Sequence, residues 1–224
     1  MLVRIEDMID RPPNILLIQW AGLGRMLGIC GERFVHSPWV DTLAYQGMLF
    51  TNTWLADTRM DNLSILYGAV DNTDAPLPLI LRQAGYTTHT CGSHRSDAEL
   101  QQLGFQDIRA GNQHIPKTIE AAETVARELA AADAPFFLNL WLRDTVPGPD
   151  GTLPFEAHPD LVKELVVPEQ WEDTPEMRET LARYYAAIGE VDFYLGRFFD
   201  DLEDRGIEDD TLVVLMADSG PAIF

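Results

Sequence analysis

The sequence is poor in basic residues, and in lysine above all. It has 224 residues, with 16 Lys and Arg against 36 Asp and Glu, a formal net charge of −20 at pH 7. Lys117 and Lys163 are its only lysines. Such a charge repels phosphate backbones and anionic lipid headgroups. We therefore expect neither nucleic acid nor a membrane surface among its partners.

Cysteines are scarce and long apolar runs are missing. Cys30 and Cys91 show no Cys-x-x-Cys spacing, so the sequence indicates neither a zinc site nor a redox pair, and we expect two buried thiols. No apolar run approaches the ~18 residues of a membrane span. The opening "MLVRIEDMIDRPPN" has acids and prolines where a secretory signal has an apolar core, so we expect a cytoplasmic protein.

An alternation of strand and helix patterns fills the chain. At 46% hydrophobic it can bury a large core, and we expect one α/β domain over residues 1–224. The predicted strands are residues 15–18, "MLFTNTW", "YTTHTC", "PFFLNLWL" and "TLVVLM". The predicted helices are "SPWVDTLAYQG", "PLILRQAG", "DAELQQLG", "TIEAAETVARELAAAD" and residues 174–206. This order predicts a doubly wound, mostly parallel sheet flanked by helices, with functional groups where strands end.

Several local signals refine this outline. Ser37 is placed to cap its helix and Gly47 to stop it in a left-handed conformation. Ser96 and Glu99 have the spacing of a capping box. Five prolines between 143 and 173 predict a long wrapping loop. The apolar run "TLVVLM" predicts a central strand.

The landmarks "RPPNILLIQWAGLG", "SPWVDTLAYQGMLFTNTW", "LPLILRQAGYTTHTCG" and "EDDTLVVLMADSG" resemble those of the sulfatase family, in the alkaline-phosphatase-like superfamily. "DTPEMRETLARYYAAIGEVD" is similar to the heparan N-sulfatase branch. The resemblance implies the family fold without its smaller C-terminal subdomain. It also implies hydrolysis of sulfate esters or sulfamates by a formylglycine made from cysteine, beside a calcium ion.

The family's metal ligands are mostly replaced here. The turn after the first strand has Ala21 and Gly22 where the resemblance implies two aspartates, and neither side chain can ligate a metal. In the last metal turn, Asp218 matches the family and Ser219 does not. A dication held by one carboxylate would keep most of its water, so we expect no cofactor, or at most weak calcium binding.

The nucleophile motif is replaced as well. It aligns with "TRMDNLSILYG", where Thr58 stands for the cysteine and Asn62 for the arginine, while Ser64 and Gly68 fix the register.

The sulfate-binding cations of the family are also changed. Ser93 stands for a lysine, and His94 or Arg95 stands near a histidine. "RDTV", residues 143–146, replaces His-x-Pro-His. With nucleophile, metal ligands and cations all changed, we predict a sulfatase-fold pseudoenzyme with a binding or assembly role, for which a sulfated or other glycan is one candidate ligand.

Four alternatives stay open. Thr58 could be the nucleophile of a metal-dependent sulfate or phosphate ester hydrolase, since phosphodiesterase relatives use threonine, or the protein could be a decayed remnant. Gly22, Gly24 and Gly28 approach a dinucleotide fingerprint, although that site needs an unbroken helix next. The cluster Asp57, Asp61 and Asp71 fits a new cation site or an acidic solvated loop.

Other polar residues receive ordinary interpretations. His89 and His94 are expected on different faces, because their spacing on a strand and its turn does not align them. Arg143 and Asp144 are expected to pair locally or to face solvent. Since family members continue past the Asp-x-Gly turn, we expect an apolar surface near "TLVVLMADSGPAIF" to be covered in a homodimer.

Overall fold

The computed structural model describes residues 12–53, 65–66, 75–111, 114–132, 134–148, 151, 153–169 and 171–221. Within them a five-stranded sheet has the order β3-β2-β4-β1-β5, and every pairing is parallel. Its strands are β1 (Asn14–Trp20), β2 (Thr87–Cys91), β3 (Asp107–Arg109), β4 (Phe136–Leu142) and β5 (Thr211–Ala217). The prediction of a doubly wound α/β sheet is confirmed. The sequence analysis missed β3.

The helices lie between the strands and on both faces of the sheet. They are α1 (Pro38–Gln46), α2 (Leu77–Gln83), α3 (Asp97–Gln102), α4 (Ile115–Leu129), α5 (Pro159–Glu164) and α6 (Pro175–Asp204). A 3₁₀ turn, Gly28–Cys30, follows β1, and α1 begins only at Pro38. The unbroken helix that a dinucleotide site needs after its first strand is therefore lacking in this described stretch.

The core has two layers, one on each face of the sheet. The larger layer packs α4 and α6 against alternate residues of β1 and β4. The predicted apolar stripe of α6 is fully buried there: Leu181, Tyr184, Ile188, Val191, Leu195 and Phe198. The smaller layer contains Leu17, Leu66, Leu100, Phe105, Phe137 and Trp141. Because each apolar strand is covered on both faces, its side chains need no polar alternation.

The apolar run of β5 predicted a central strand. In the described sheet β5 instead lies at one edge. It pairs with β1 on one side, and Leu212 and Val214 are 54% and 38% exposed. A purely apolar sequence does not distinguish an edge strand from a central one, because the position depends on which strands of the chain pair beside it.

The cap of α1 comes from α6 and not, as predicted, from the adjacent Ser37. The Ser37 side chain does not cap its own helix, and Gly47 has φ −112°, so it is not left-handed. Asp192 on α6 instead accepts hydrogen bonds from the backbone N–H groups of Trp39 at 3.2 Å and Val40 at 2.9 Å. A buried carboxylate from α6 thus replaces the local cap.

Two further segment predictions need correction, whereas the capping box of Ser96 and Glu99 is confirmed. The predicted strand "MLFTNTW" has no regular structure over 48–53, and Trp54 lies outside the described residues. This segment pairs with none of the described strands, and Met48 is 79% exposed, so it lacks both the backbone ladder and the burial of a strand. The predicted loop at 143–173 is long but contains α5.

None of the helices within the described part of the chain is long and apolar enough to cross a membrane.

Candidate functional site

The candidate site lies where four parallel strands end together. The segments Ala21–Gly22, Ser93–Arg95, Arg143–Asp144 and Asp218–Ser219 follow β1, β2, β4 and β5 respectively. Because the strands are parallel and adjacent, these segments share one edge of the sheet, where ligands of open α/β sheets bind. The sequence analysis placed its candidate residues at this edge.

The turn after β1 is held through its backbone. The Gly22 N–H donates to Ser219 Oγ at 2.9 Å, and the Tyr184 hydroxyl donates to the Gly22 carbonyl at 2.7 Å. Thr145 Oγ1 donates to the Ala21 carbonyl at 2.5 Å. Groups from β4, β5 and α6 therefore satisfy this turn without any side chain beyond Cβ at residues 21 and 22.

Gly22 has a conformation and a packing that suit glycine alone. Its φ is +76°, in the left-handed region that L side chains rarely adopt. A Cβ atom added there would lie 3.2 Å from the Thr145 carbonyl oxygen and 3.2 Å from Val146 Cγ2. An aspartate at this position would strain the backbone and would require its neighbours to give way slightly.

Asp218 is the aspartate that matches the family's metal ligands. Asp218 is 9% exposed, and its Oδ1 accepts a hydrogen bond from Ser219 Oγ at 2.8 Å. Across the described ranges, no three His, Cys, Asp or Glu side chains gather as metal ligands. A hard dication needs about six oxygen ligands, so the donor set described here does not fit calcium.

At the end of β2, Ser93 is structural and His94 is accessible. Ser93 is 2% exposed and its Oγ accepts a hydrogen bond from the Arg95 backbone N–H at 3.2 Å. The His94 ring packs edge-on against Trp141 with centroids 5.7 Å apart. Partial burial is the largest cause that lowers the His94 pKa, and the nearby positive charges of Arg143 and Arg95 lower it further. The imidazole is therefore neutral at neutral pH.

Asp144 neither pairs with Arg143 nor faces solvent, so that expectation was wrong. Its side chain is 3% exposed, and Oδ1 accepts the Ile115 N–H at 3.0 Å and lies 3.4 Å from His114 Nδ1. Burial raises the Asp144 pKa. Asp144 thus caps α4 from the end of β4, and this cap accompanies a helix start three residues earlier than predicted.

A cavity of about 180 Å³ lies beside Asp144, and the sequence analysis did not anticipate it. Its walls combine the carboxylates of Asp144 and Glu190 with the apolar rings of Phe155, Pro154 and Pro116. Carboxylates that accept hydroxyl hydrogens and an aromatic ring suit a small polar organic ligand. The residues come from four separate segments, so sequence spacing gave no signal of it.

The remaining predicted residues divide into two groups. His89 lies away from the edge, with Nδ1 3.3 Å from Asp107 Oδ2 on β3, so the separation of His89 from His94 is as expected. The proposed nucleophile position and its neighbours lie outside the described residues: Thr58, Asn62, Ser64, Gly68, Asp57, Asp61 and Asp71.

Comparison with known structures identifies the fold first. The fold is that of the alkaline phosphatase superfamily. A superfamily member from Vibrio parahaemolyticus matches with a TM-score of 0.67 at 20% identity, over 96% of this chain and 56% of that one. The C-terminal periplasmic domain of EcEptC from Escherichia coli matches with a TM-score of 0.68 at 15% identity, over 94% and 64%.

The chain belongs to the sulfatase family, whose model matches residues 13–224. Human N-sulphoglucosamine sulphohydrolase is 24% identical over 259 aligned residues, which cover 94% of this chain. The chain spans about half of that relative, 51% of its length. The resemblance to the sulfatase family is confirmed.

Proposed function

We propose that the protein is a non-catalytic member of the sulfatase family that binds a sulfated or related glycan. The turn at Ala21 and Gly22 carries the proposal. It has no ligating side chain, and its left-handed backbone and the close approach of Thr145 disfavour a side chain at residue 22. Without that ligand pair the metal that would activate a hydroxyl nucleophile has no site at this turn.

The nature of the ligand is supported by two observations. The human relative is named for a sulfated amino sugar. The Asp144 and Glu190 carboxylates in the cavity can accept hydrogen bonds from sugar hydroxyls, and the Phe155 ring can pack against the face of a sugar. We therefore propose that a sugar enters this cavity and that catalysis does not follow.

A turnover assay with a matched variant tests the absence of catalysis. Purified protein is incubated with aryl sulfates, sulfamates and phosphodiesters in the presence of calcium, zinc or manganese, beside Thr58→Ala. We expect no hydrolysis that differs between the two proteins. Metal-dependent hydrolysis that Thr58→Ala abolishes would overturn the proposal and establish the alternative hydrolase that uses Thr58.

A further inference from the structure

The cavity beside Asp144 has acidic walls. Asp144 and Glu190 both line it, and none of the described lining residues is a lysine or an arginine. Its volume of about 180 Å³ is below the roughly 300–1,000 Å³ of pockets that hold drug-sized ligands. The cavity therefore has room for one small chemical group, and a group bound there lies next to two acids.

Asp144 is buried without a lysine or arginine partner in the described part of the chain. Its side chain is 3% exposed, and Oδ1 accepts the Ile115 N–H at 3.0 Å. The start of α4 offsets part of the Asp144 charge, because the N-terminus of a helix is partly positive. Burial nevertheless raises the Asp144 pKa, so these interactions do not replace the lost hydration of the carboxylate. A cation in the cavity would supply what is missing.

Glu190 also has no opposite charge beside it among the described residues. It lies in the middle of α6, too far from either end for the partial charges of the helix termini to act on it. The arginines about two turns away on either side pair with other acids. Arg183 lies 2.8 Å from Glu179, and Arg197 lies 3.3 Å from Glu123. The Glu190 carboxylate is therefore available to a ligand in the cavity.

The apolar walls determine which kind of cation the cavity suits. They are the rings of Phe155, Pro154 and Pro116. None of these side chains ligates a metal, and calcium needs about six oxygen ligands. A protonated amine needs fewer, because its N–H groups donate to carboxylates and its charge is attracted to an aromatic face. Its carbon atoms pack against the apolar rings.

We propose that the cavity binds a protonated organic amine, with Asp144 and Glu190 as hydrogen-bond acceptors and the Phe155 ring as a cation–π partner. The inference rests on the proposed function and names the group that the cavity recognises, the unsulfated amine of the ligand. Both carboxylates repel a sulfate group, so a sulfate on the same ligand lies outside the cavity. The net charge of −20 favours the approach of cations. Amino sugars and simple alkylamines share this chemistry.

Matched pairs of ligands and variants test the inference. Glucosamine, glucose, N-sulfoglucosamine, butylamine and butanol are titrated by calorimetry at pH 7 and constant ionic strength. Glucose and butanol have a hydroxyl where glucosamine and butylamine have the amine. The proteins are wild type, Glu190→Gln, Phe155→Leu and Glu203→Gln. Glu203→Gln is the matched control, because it removes the same charge from an exposed residue of the same helix. Phe155→Leu keeps an apolar side chain and tests the site even if Glu190→Gln fails to fold.

Each amine is expected to bind wild type and Glu203→Gln at least about tenfold more tightly than its hydroxyl counterpart, because the hydroxyl loses the charge-assisted hydrogen bonds. Glu190→Gln should weaken amine binding at least about tenfold, and Phe155→Leu should weaken it as well. Tighter binding of glucosamine than of butylamine would assign the site to an amino sugar, and the reverse order would assign it to an alkylamine.

Three results would overturn the amine site. Equal binding of glucosamine and glucose, or tighter binding of N-sulfoglucosamine than of glucosamine, would exclude recognition of the amine and leave the glycan of the proposed function in place. Amine binding that is equal in all four proteins would place the amine outside the cavity. Failure of every compound to bind would remove the sugar from the cavity as well. The absence of catalysis is tested separately by the turnover assay, so the two failures are distinguishable.

Discussion

Asp192 is expected to stabilise the start of α1 strongly. It is 1% exposed and accepts the N–H groups of Val40 at 2.9 Å and Trp39 at 3.2 Å. In Asp192→Ala the buried Val40 N–H loses its acceptor, which costs about 1–3 kcal/mol. The Trp39 N–H adds about 1 kcal/mol, because the residue is 38% exposed and water can reach it. We expect the free energy of unfolding to fall by about 2–4 kcal/mol in total.

Denaturant unfolding followed by circular dichroism measures this change. The control is Asp200→Ala, which removes an exposed carboxylate from the same helix and should change stability by at most about 0.5 kcal/mol. A loss in Asp192→Ala no larger than in Asp200→Ala would refute the capping role. It would mean that α1 begins equally well with its N–H groups open to water.

Asp192→Asn supplies a pH-dependent readout of the same site. Burial raises the Asp192 pKa, so above pH ~4 the Asp192 carboxyl group keeps its proton more readily in the folded protein than in the unfolded chain. The contribution of Asp192 to stability is therefore full below that pH and declines as the pH rises through the raised pKa. The stability of wild type relative to Asp192→Asn should decline over the same window, and a difference independent of pH would contradict the burial of the charge.

The remaining predictions concern thiols, metal and assembly. Burial raises the Cys91 pKa to about 12, so in the native protein a thiol reagent should label Cys30 and leave Cys91 unmodified; rapid labelling of Cys91 would contradict its burial. Millimolar calcium should leave the melting temperature nearly unchanged, and a rise that Asp218→Ala removes would reveal ligands not recognised here. We propose a homodimer through the β5 edge, where Leu212 and Val214 are exposed. In light scattering, Leu212→Lys should then be a monomer. A wild-type protein that is monomeric at micromolar concentration would refute the dimer.

Local chemistry explains which parts of the fold could be predicted from the sequence. The capping box at Ser96 and the stripe of α6 depend on residues three or four apart, which any helix brings together. The apolar runs of β1 and β4 identified buried strands, because a strand covered on both faces is apolar at every position. The order of turns after those strands was enough to reveal the sulfatase resemblance and the missing aspartates at Ala21 and Gly22.

Only the tertiary structure decided which distant groups meet. Asp192 caps α1 across 152 residues, whereas the sequence predicted the adjacent Ser37 as the cap. Asp144 caps α4 across 29 residues, whereas the sequence predicted that it pairs locally or faces solvent. The edge position of β5 depends on strand pairing, since an apolar strand carries the same letters at the edge or at the centre. The shared position of the segments that follow β2 and β4 likewise depends on the parallel pairing of these strands, because chain segments far apart in sequence become neighbours only when packing places their strands side by side.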